Sequence, residues 1–585
     1  MPGPEESAAS GVRPAAAPPG PALIAGLVLA LLLCFAGLGR SLWSPDEPTG
    51  AAVGRAMLAT GDLVVPRLNG QPFLEKPPLY WWVQVLSFRA FGVSPAAARL
   101  PSALFGALTL GVTWALGRRF GPRPGLLAPL VLASTALFVE ETGRVVVDPA
   151  LALFVALAHL GFVQLAEPGS SVDRGQGWRD WRQWRAAALL ALALPLAFLA
   201  KGVVALGLGA APPVLYLLAT RRQRALRDLL PLAALGLPLF ALIIGPWALA
   251  LYHRAGWPGV QECLLNNTAG RFLDNTAGRV YGHRQPLTYY LTVAPAVLLP
   301  WTLAVPAMLK AGILRSTGPG SDSRRLLFTT VVLGVLLLSA AASKRELYLL
   351  PLLPAFAACT AWWLDGVASR ATGERSWDRP TLLTLLGLAA LLPVVVWGLA
   401  LLVRVAPPRA AALAPLRQAL APEVLAVWGA VALFLAALAS ARLVRSLSSG
   451  ANPGPLFLLA AFLLLFLGLQ SAVKSALDPV KSLDELAAAA ARLAPGPGPV
   501  PAYLPPRRSA ESLYGILGFQ LNRTAEPLPT AADLRAYFIS HPGARVVFRM
   551  EEVGTLPADL RRHLRFLYDE TGGKASPYGI AEWGS

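Results

Sequence analysis

Apolar runs of about 18 residues or more recur along this chain from Pro21 to Val473, and each is long enough to cross a hydrocarbon core. Only 14% of the 585 residues are charged, and 55% are hydrophobic, whereas soluble domains carry about 25% charged residues. A chain so short of charge cannot cover a soluble surface. We read thirteen spans, at 21–39, 98–116, 124–140, 146–166, 186–200, 202–219, 229–251, 288–309, 326–343, 349–366, 381–403, 422–441 and 455–473. The first run resembles a signal peptide in length. No small-residue cleavage site follows it and many more spans do, so it reads as a retained helix.

The net charge is +18. A nucleic-acid partner would explain that number, but the arginines are scattered over short loops between spans, as the positive-inside rule requires. Arg118, Arg119 and Arg123 share one such loop; Arg221, Arg222, Arg224 and Arg227 share another; Lys310, Arg315, Arg324 and Arg325 a third. With thirteen spans these loops share one face, the cytoplasmic one. Cys34, Cys263 and Cys359 lie too far apart in character to form a disulfide framework: two fall within spans and Cys263 in a loop. The expected organisation is an all-α polytopic membrane domain over 1–473, with outer loops at 40–97 and 252–287. A small α/β domain over 474–585 faces outward, after charges, turn residues and alternating runs such as Ala544 to Met550 return.

Chemistry-bearing residues gather at the outer face. Loop 40–97 carries Trp43, Phe73, Tyr80, Trp81, Trp82, Phe88 and Phe91 among its charges, so it is expected to lie on the bilayer as short amphipathic helices. Directly after the first span stands SPDEP, with Asp46 and Glu47. An Asp at a helix mouth caps free N–H groups in the plain reading; at a membrane surface it is also a candidate general base. In LEKPPLYWW, Pro77 and Pro78 forbid a continuous helix through Glu75 and Lys76, which places that acid–base pair on rigid extended backbone. A surface ion pair worth about 0–1 kcal/mol would not require such a frame. Asp148, before Pro149 at the outer end of the fourth span, is a capping residue in the plain reading and a functional carboxylate by its depth. Lys344, Arg345 and Tyr348 open the tenth span, and Arg254, Arg271, His283 and Arg284 lie in loop 252–287. Positive charge on the outer side runs against the inside rule, and a lipid phosphate is the anion that would offset it. His159, within the fourth span, reads as a packing residue. No His, Cys or carboxylate spacing specifies a metal site, and the chain has no phosphate-cradling Gly loop and no nucleotide fingerprint.

These residues resemble those of a known family. The acidic motif after the first span, Glu-Lys-Pro-Pro in the first outer loop, Asp-Pro at the fourth span and Tyr-Leu-Leu-Pro at the tenth are similar to the lipid A aminoarabinose transferases. They are similar, more distantly, to the protein O-mannosyltransferases, membrane glycosyltransferases of the GT-C fold (glycosyltransferase family 39-like). The resemblance covers the whole chain, and EKPPLYWW is its most specific element. It implies that Asp46 is the catalytic acidic residue and Asp148 the second acidic position. It also implies that Glu75 and Lys76 flank the donor phosphate, and that Arg271 and Tyr348 contact it. The family tends to carry a His shortly before the loop Arg. This chain has Asn266 and Asn267 there, so no cofactor is assigned and a divalent cation stays open.

The implied function is transfer of a sugar from a polyprenyl-phosphate carrier to a lipid A, protein or envelope-glycan acceptor, by inverting displacement at the periplasmic face of a bacterial inner membrane. Membrane lipids are partners and nucleic acid is not. The alternative is a polytopic transporter or lipid flippase, which predicts ionisable residues deep within spans and paired inverted repeats. The topology is directly testable. Alkaline phosphatase fused after Ser585 should be active, and strong activity of a cytoplasm-only reporter at the same point would overturn the thirteen-span arrangement.

Overall fold

The computed structural model describes residues 20–166, 181–270, 284–315, 320–368, 378–405, 417, 420, 422–449, 455–470, 474–506, 510–570 and 577–584. Among these, eight helices are long and apolar enough to cross a membrane. Two helix pairs are long and apolar enough when taken together but are bent by 67° and 106° at a short break, and three shorter apolar helices lie at Pro21–Phe35, Val204–Thr220 and Leu456–Gly468. Each of the thirteen expected spans falls on one of these helices or helix pairs, of which eight to ten among the described residues reach spanning length, and the protein is a multi-pass membrane protein. The helices in chain order are α1 (Pro21–Phe35), α2 (Asp46–Thr60), α3 (Leu79–Phe91), α4 (Pro95–Gly117), α5 (Pro122–Ala133), α6 (Ala136–Thr142), α7 (Asp148–Ala166), α8 (Trp181–Lys201), α9 (Val204–Gly209) and α10 (Ala211–Gln261).

Local chemistry sets these boundaries. Ser94 caps α4, its hydroxyl accepting from the Ala97 N–H, with Pro95 in the first turn. Gly61 ends α2 at a φ of 69°, a left-handed turn that glycine takes without steric cost. The α7 helix and the span Glu346–Val367 are the most deeply buried in protein, and α7 packs chiefly against α8 and α4.

Two expectations change on folding. The segment 252–287 does not start as a loop. The helix runs on to Gln261, turning at Gly256, whose φ of 67° favours glycine, and a π-helical stretch continues over Glu262–Gly270. Cys263 is consequently a buried helical residue, packed with Leu74, Trp247 and Leu251. The first outer loop does form two short helices, α2 and α3, but its aromatic residues are not all at the bilayer surface. Tyr80, Trp81 and Phe88 are buried because α3 packs on α4. The Tyr80 hydroxyl meets the Ser102 hydroxyl at 2.9 Å, Ser87 donates to the Ala97 carbonyl at 2.7 Å, and Gln84 to the Ala98 carbonyl at 3.0 Å.

The junction of α1, α2 and α4 is closed by buried charge. Glu47 is fully enclosed, and its Oε1 accepts from Arg99 Nε at 2.7 Å and its Oε2 from Arg99 Nη2 at 2.9 Å. Arg40 Nη1 adds a bond at 3.1 Å, and the Trp43 and Val145 amides donate at 2.9 and 3.1 Å. Arg99 also donates to the carbonyls of Leu38 and Ser41, and Arg40 to that of Gly143. One carboxylate thus ties the end of α1, the start of α2, the start of α4 and the turn before α7.

The C-terminal domain is a five-stranded sheet in the order β4-β3-β5-β7-β6. Its strands are β3 (Val500–Tyr503), β4 (Ala525–Leu528), β5 (Arg545–Arg549), β6 (Leu564–Asp569) and β7 (Tyr578–Trp583). A two-residue hairpin, β1 (Arg67–Leu68) with β2 (Gln71–Pro72), lies in the first outer loop. In the sheet, β3 runs parallel to β4 and β5, and β7 antiparallel to β5 and β6. Helices Asp484–Leu493 and Glu511–Ile516 cover one face, with Leu486, Ala490, Leu513 and Ile516 in a core with Val500 and Ile580.

The Glu47 cluster yields a stability prediction. Burial pushes its carboxyl up, but Arg99 and Arg40 outweigh that and hold it down to about 2. A depressed carboxyl stabilises the fold in full above its ordinary value near 4.5, and that contribution fades as pH falls toward about 2. Glu47→Gln strands two buried arginines and should cost about 3–5 kcal/mol, read as a lowered unfolding midpoint in detergent. An unchanged midpoint at neutral pH would mean that the cluster does not hold the junction.

Candidate active site

The α2 helix starts at Asp46, and the Glu47 cluster behind it fixes where that start lies. The Asp46 Oδ2 atom accepts from Arg345 Nη2 at 2.8 Å and from Arg144 Nη2 at 3.4 Å. Its side chain is about a third exposed, at 31%, and among the described residues its Oδ1 has no hydrogen-bond donor. Burial pushes the Asp46 carboxyl up. Arg345, Arg144 and Lys76 pull harder the other way and hold it below the usual carboxylate range. Asp46 is therefore a fixed anion with one oxygen open.

Further charges extend this site. Arg144 stands 3.5 Å from Glu141 and 4.0 Å from Glu140, and Glu140 is bridged by Lys474 at 2.7 Å. Asp148, at the start of α7, is buried and paired with Lys201 Nζ at 2.5 Å from its Oδ1. The same ammonium sits 4.2 Å above the Tyr348 ring centroid, a cation–π arrangement. Tyr348 and Arg345 stand at one tight helical turn, Glu346–Leu352 with Arg345 just before it, so the Asp46 and Asp148 clusters share one wall.

The structure brings together Asp46, Arg345, Tyr348 and Asp148. Glu75 and Lys76 form an ion pair at 3.3 Å, both partly exposed, on a bend ahead of α3 rather than on the extended backbone expected there. That segment is tied down by Asn267, which donates to the Leu74 carbonyl at 3.3 Å. Asn266 and Asn267 both bind Glu262, at 2.8 and 3.1 Å. The position where a family His was expected is thus occupied by amides that hold the loop. Arg271 lies outside the described residues. Lys344 is buried and donates to the Gln285 carbonyl at 2.8 Å, which joins two outer segments rather than facing Asp46. Glu47 is also corrected: read as catalytic beside Asp46, it faces inward with five donors on its carboxylate and no exposed surface. It anchors the Asp46 segment. Among the described residues no group of three His, Cys, Asp or Glu side chains is arranged to hold a metal ion.

Arg144, Lys201, Glu140 and Lys474 were not singled out from the sequence. A signal was present for two of them. Arg144 stands alone between two apolar spans on the face that should lack cations, and Lys201 sits at the junction of two more.

Comparison with known proteins follows the same lines. A family model described as dolichyl-phosphate-mannose-protein mannosyltransferase matches residues 75–249. The undecaprenyl phosphate-alpha-4-amino-4-deoxy-L-arabinose arabinosyl transferase of Edwardsiella ictaluri (strain 93-146) is 31% identical over 372 residues, covering 62% of this chain and 63% of that relative. The chain thus spans less than two thirds of that relative's length. The crystal structure of ArnT from Cupriavidus metallidurans in the apo state superposes with a TM-score of 0.70 at 21% identity, covering 96% of this chain and 97% of that one. The same protein bound to undecaprenyl phosphate gives 0.69 at 20% identity, covering 95% and 97%. The chain has the fold of that protein over nearly its whole length, helical membrane domain and C-terminal sheet domain together. The resemblance to aminoarabinose transferases and O-mannosyltransferases read from the motifs is borne out.

Proposed function

We propose that this protein is a glycosyltransferase that takes a sugar from a polyprenyl monophosphate carrier. It passes that sugar to a lipid A, protein or envelope-glycan acceptor at the periplasmic face of a bacterial inner membrane. The observation that carries this reading is the Asp46 anion held between Arg345 and Arg144, with Lys201 and Tyr348 on the same wall. The relatives' names, which specify an undecaprenyl phosphate donor, support it. Helix ends and turns supply the charges of both clusters, Asp148 opening α7 and Lys201 closing α8. That placement suits a reaction at the membrane surface better than a transmembrane path.

The leaving group of such a donor is a phosphate monoester, which needs charge stabilisation more than protonation. Arg345, Lys201 and Lys76 supply positive charge, and Tyr348 a hydroxyl donor. Donor binding also alters Asp46. In the empty site two guanidinium groups make it a weak base. A phosphate that draws Arg345 and Arg144 toward itself relaxes that hold, so Asp46 becomes basic enough to accept the acceptor's proton only when a donor is in place. An acceptor oxygen attacks the anomeric carbon opposite the departing phosphate, the C–O bond to the carrier breaks with its electrons on the phosphate, and the configuration inverts. Glu75 stands beside Lys76 at 3.3 Å and keeps its ammonium oriented.

The test is transfer in detergent from an undecaprenyl-phosphate sugar to candidate acceptors, followed by mass spectrometry. Asp46→Asn should lower turnover by about 10²–10⁴-fold with donor binding kept. Near-normal turnover in that variant, or equal transfer from a soluble sugar nucleotide, would sink the reading.

A further inference from the structure

The segment that carries Asp46 is held from two sides. From within, Glu47 binds the Trp43 amide at 2.9 Å. From outside, it is held by the helix Lys474–Lys481, which joins the membrane bundle to the sheet domain. Asp478 Oδ1 accepts from the Trp43 indole N–H at 2.6 Å, and its Oδ2 accepts from the Ser41 amide at 3.2 Å. The Ser44 amide donates to the Lys481 carbonyl at 3.0 Å, and Trp43 and Ser482 form an antiparallel bridge. The Trp43 ring is itself placed between cations, with the Arg40 guanidinium 4.4 Å and the Lys474 ammonium 5.9 Å from its centroid. Lys474 in turn bridges Glu140, which lies beside Arg144, a donor to Asp46.

The sheet domain braces the same helix further along. Thr49 donates its hydroxyl proton to the Glu511 carbonyl at 3.1 Å, and Arg55 bonds the Phe519 carbonyl. Gly515 lies so close to α2 that a Cβ there would come within 2.5 Å of the Thr49 nitrogen. Domain docking alone accounts for these later contacts. It does not account for a carboxylate whose two oxygens both bind residues 41–43, three to five positions ahead of the catalytic anion.

Resting on the function proposed above, we infer that Asp478 is a positioning residue for the transfer reaction, setting the Asp46 carboxylate through Trp43. The indole N–H gives the clamp a direction, because a carboxylate-bound indole rotates only with its backbone, and that backbone enters α2 three residues later. Releasing it leaves the donor phosphate ligands Lys76, Lys201 and Tyr348 where they are, and lets Asp46 drift from its attack geometry. A displacement near 1 Å costs on the order of 10²-fold in rate.

The experiment is steady-state kinetics on the full-length protein with undecaprenyl-phosphate sugar as the varied substrate. Asp478→Ala should lower kcat by roughly 10- to 100-fold while donor KM moves by less than about threefold. Trp43→Phe keeps an aromatic ring beside Arg40 and Lys474 but loses the indole N–H with part of the ring, and should give a kcat defect of similar size. The double variant should be little worse than Asp478→Ala, which already removes the indole bond together with the Ser41 contact. Asp478→Asn retains one acceptor oxygen and should recover part of the loss. A purely structural role predicts otherwise: a lower unfolding midpoint with full kcat per folded molecule, and that result overturns the inference. Should Asp478→Ala fail to accumulate, Trp43→Phe decides alone, and wild-type kcat in it is the contradicting result. Absence of transfer by the wild-type protein would instead overturn the functional reading itself.

Discussion

The arrangement depends on one buried carboxylate. Glu47 takes donors from Arg99, Arg40 and two backbone amides, and the segment that carries Asp46 is placed relative to it. An ion cluster of this kind gains little net stability over a well-packed apolar core, but breaking it leaves a charge buried without a partner. Its effect is geometric. The ends of α1 and α4, the turn at Gly143–Val145 and the first turn of α2 cannot move independently while Glu47 holds them. Asp46, the next residue back, inherits a fixed position at the mouth of the bundle.

Two neighbouring carboxylates therefore have opposite duties, set by what surrounds them. Glu47 is enclosed and saturated with donors. Asp46 is partly open, with both its arginines on a single oxygen. The second cluster repeats the logic at greater depth: Asp148 and Lys201 neutralise each other, and Tyr348 caps the ammonium with its ring. Cations on the outer face would be anomalous by topology alone. Here Arg345, Arg144, Lys201 and Lys76 each have a carboxylate within reach.

Much of this was legible in the sequence, for physical reasons. The order of the apolar helices follows from apolar run length, because the hydrocarbon core demands about 20 residues per crossing, and each run falls on a helix or a bent helix pair. The rigid placement of Glu75 and Lys76 follows from Pro77 and Pro78. What escaped were pairings through space. Arg345 meets Asp46 across 299 residues of chain and Lys201 meets Asp148 across 53, and no local pattern encodes either. The inward turn of Glu47 depends on Arg99, which the sequence shows only as a charge at the edge of an apolar run. Tyr80, Trp81 and Phe88 read as a surface belt because composition does not reveal that α4 covers α3. The continuation of α10 to Gln261 escaped because Gly256 and Pro258 are turn signals that here bend a helix without ending it.

The central claim is that this charged wall binds the phosphate of a polyprenyl carrier. Native mass spectrometry of the protein titrated with undecaprenyl phosphate, with no sugar and no acceptor present, measures that binding without reference to turnover. The account predicts a saturable complex with the wild-type chain, and affinity weaker by roughly 10- to 150-fold in Lys76→Ala and Lys201→Ala, since each removes a charged hydrogen bond of about 1.5–3 kcal/mol. Equal affinity in all three proteins, with uncharged undecaprenol binding as tightly as its phosphate, would contradict it.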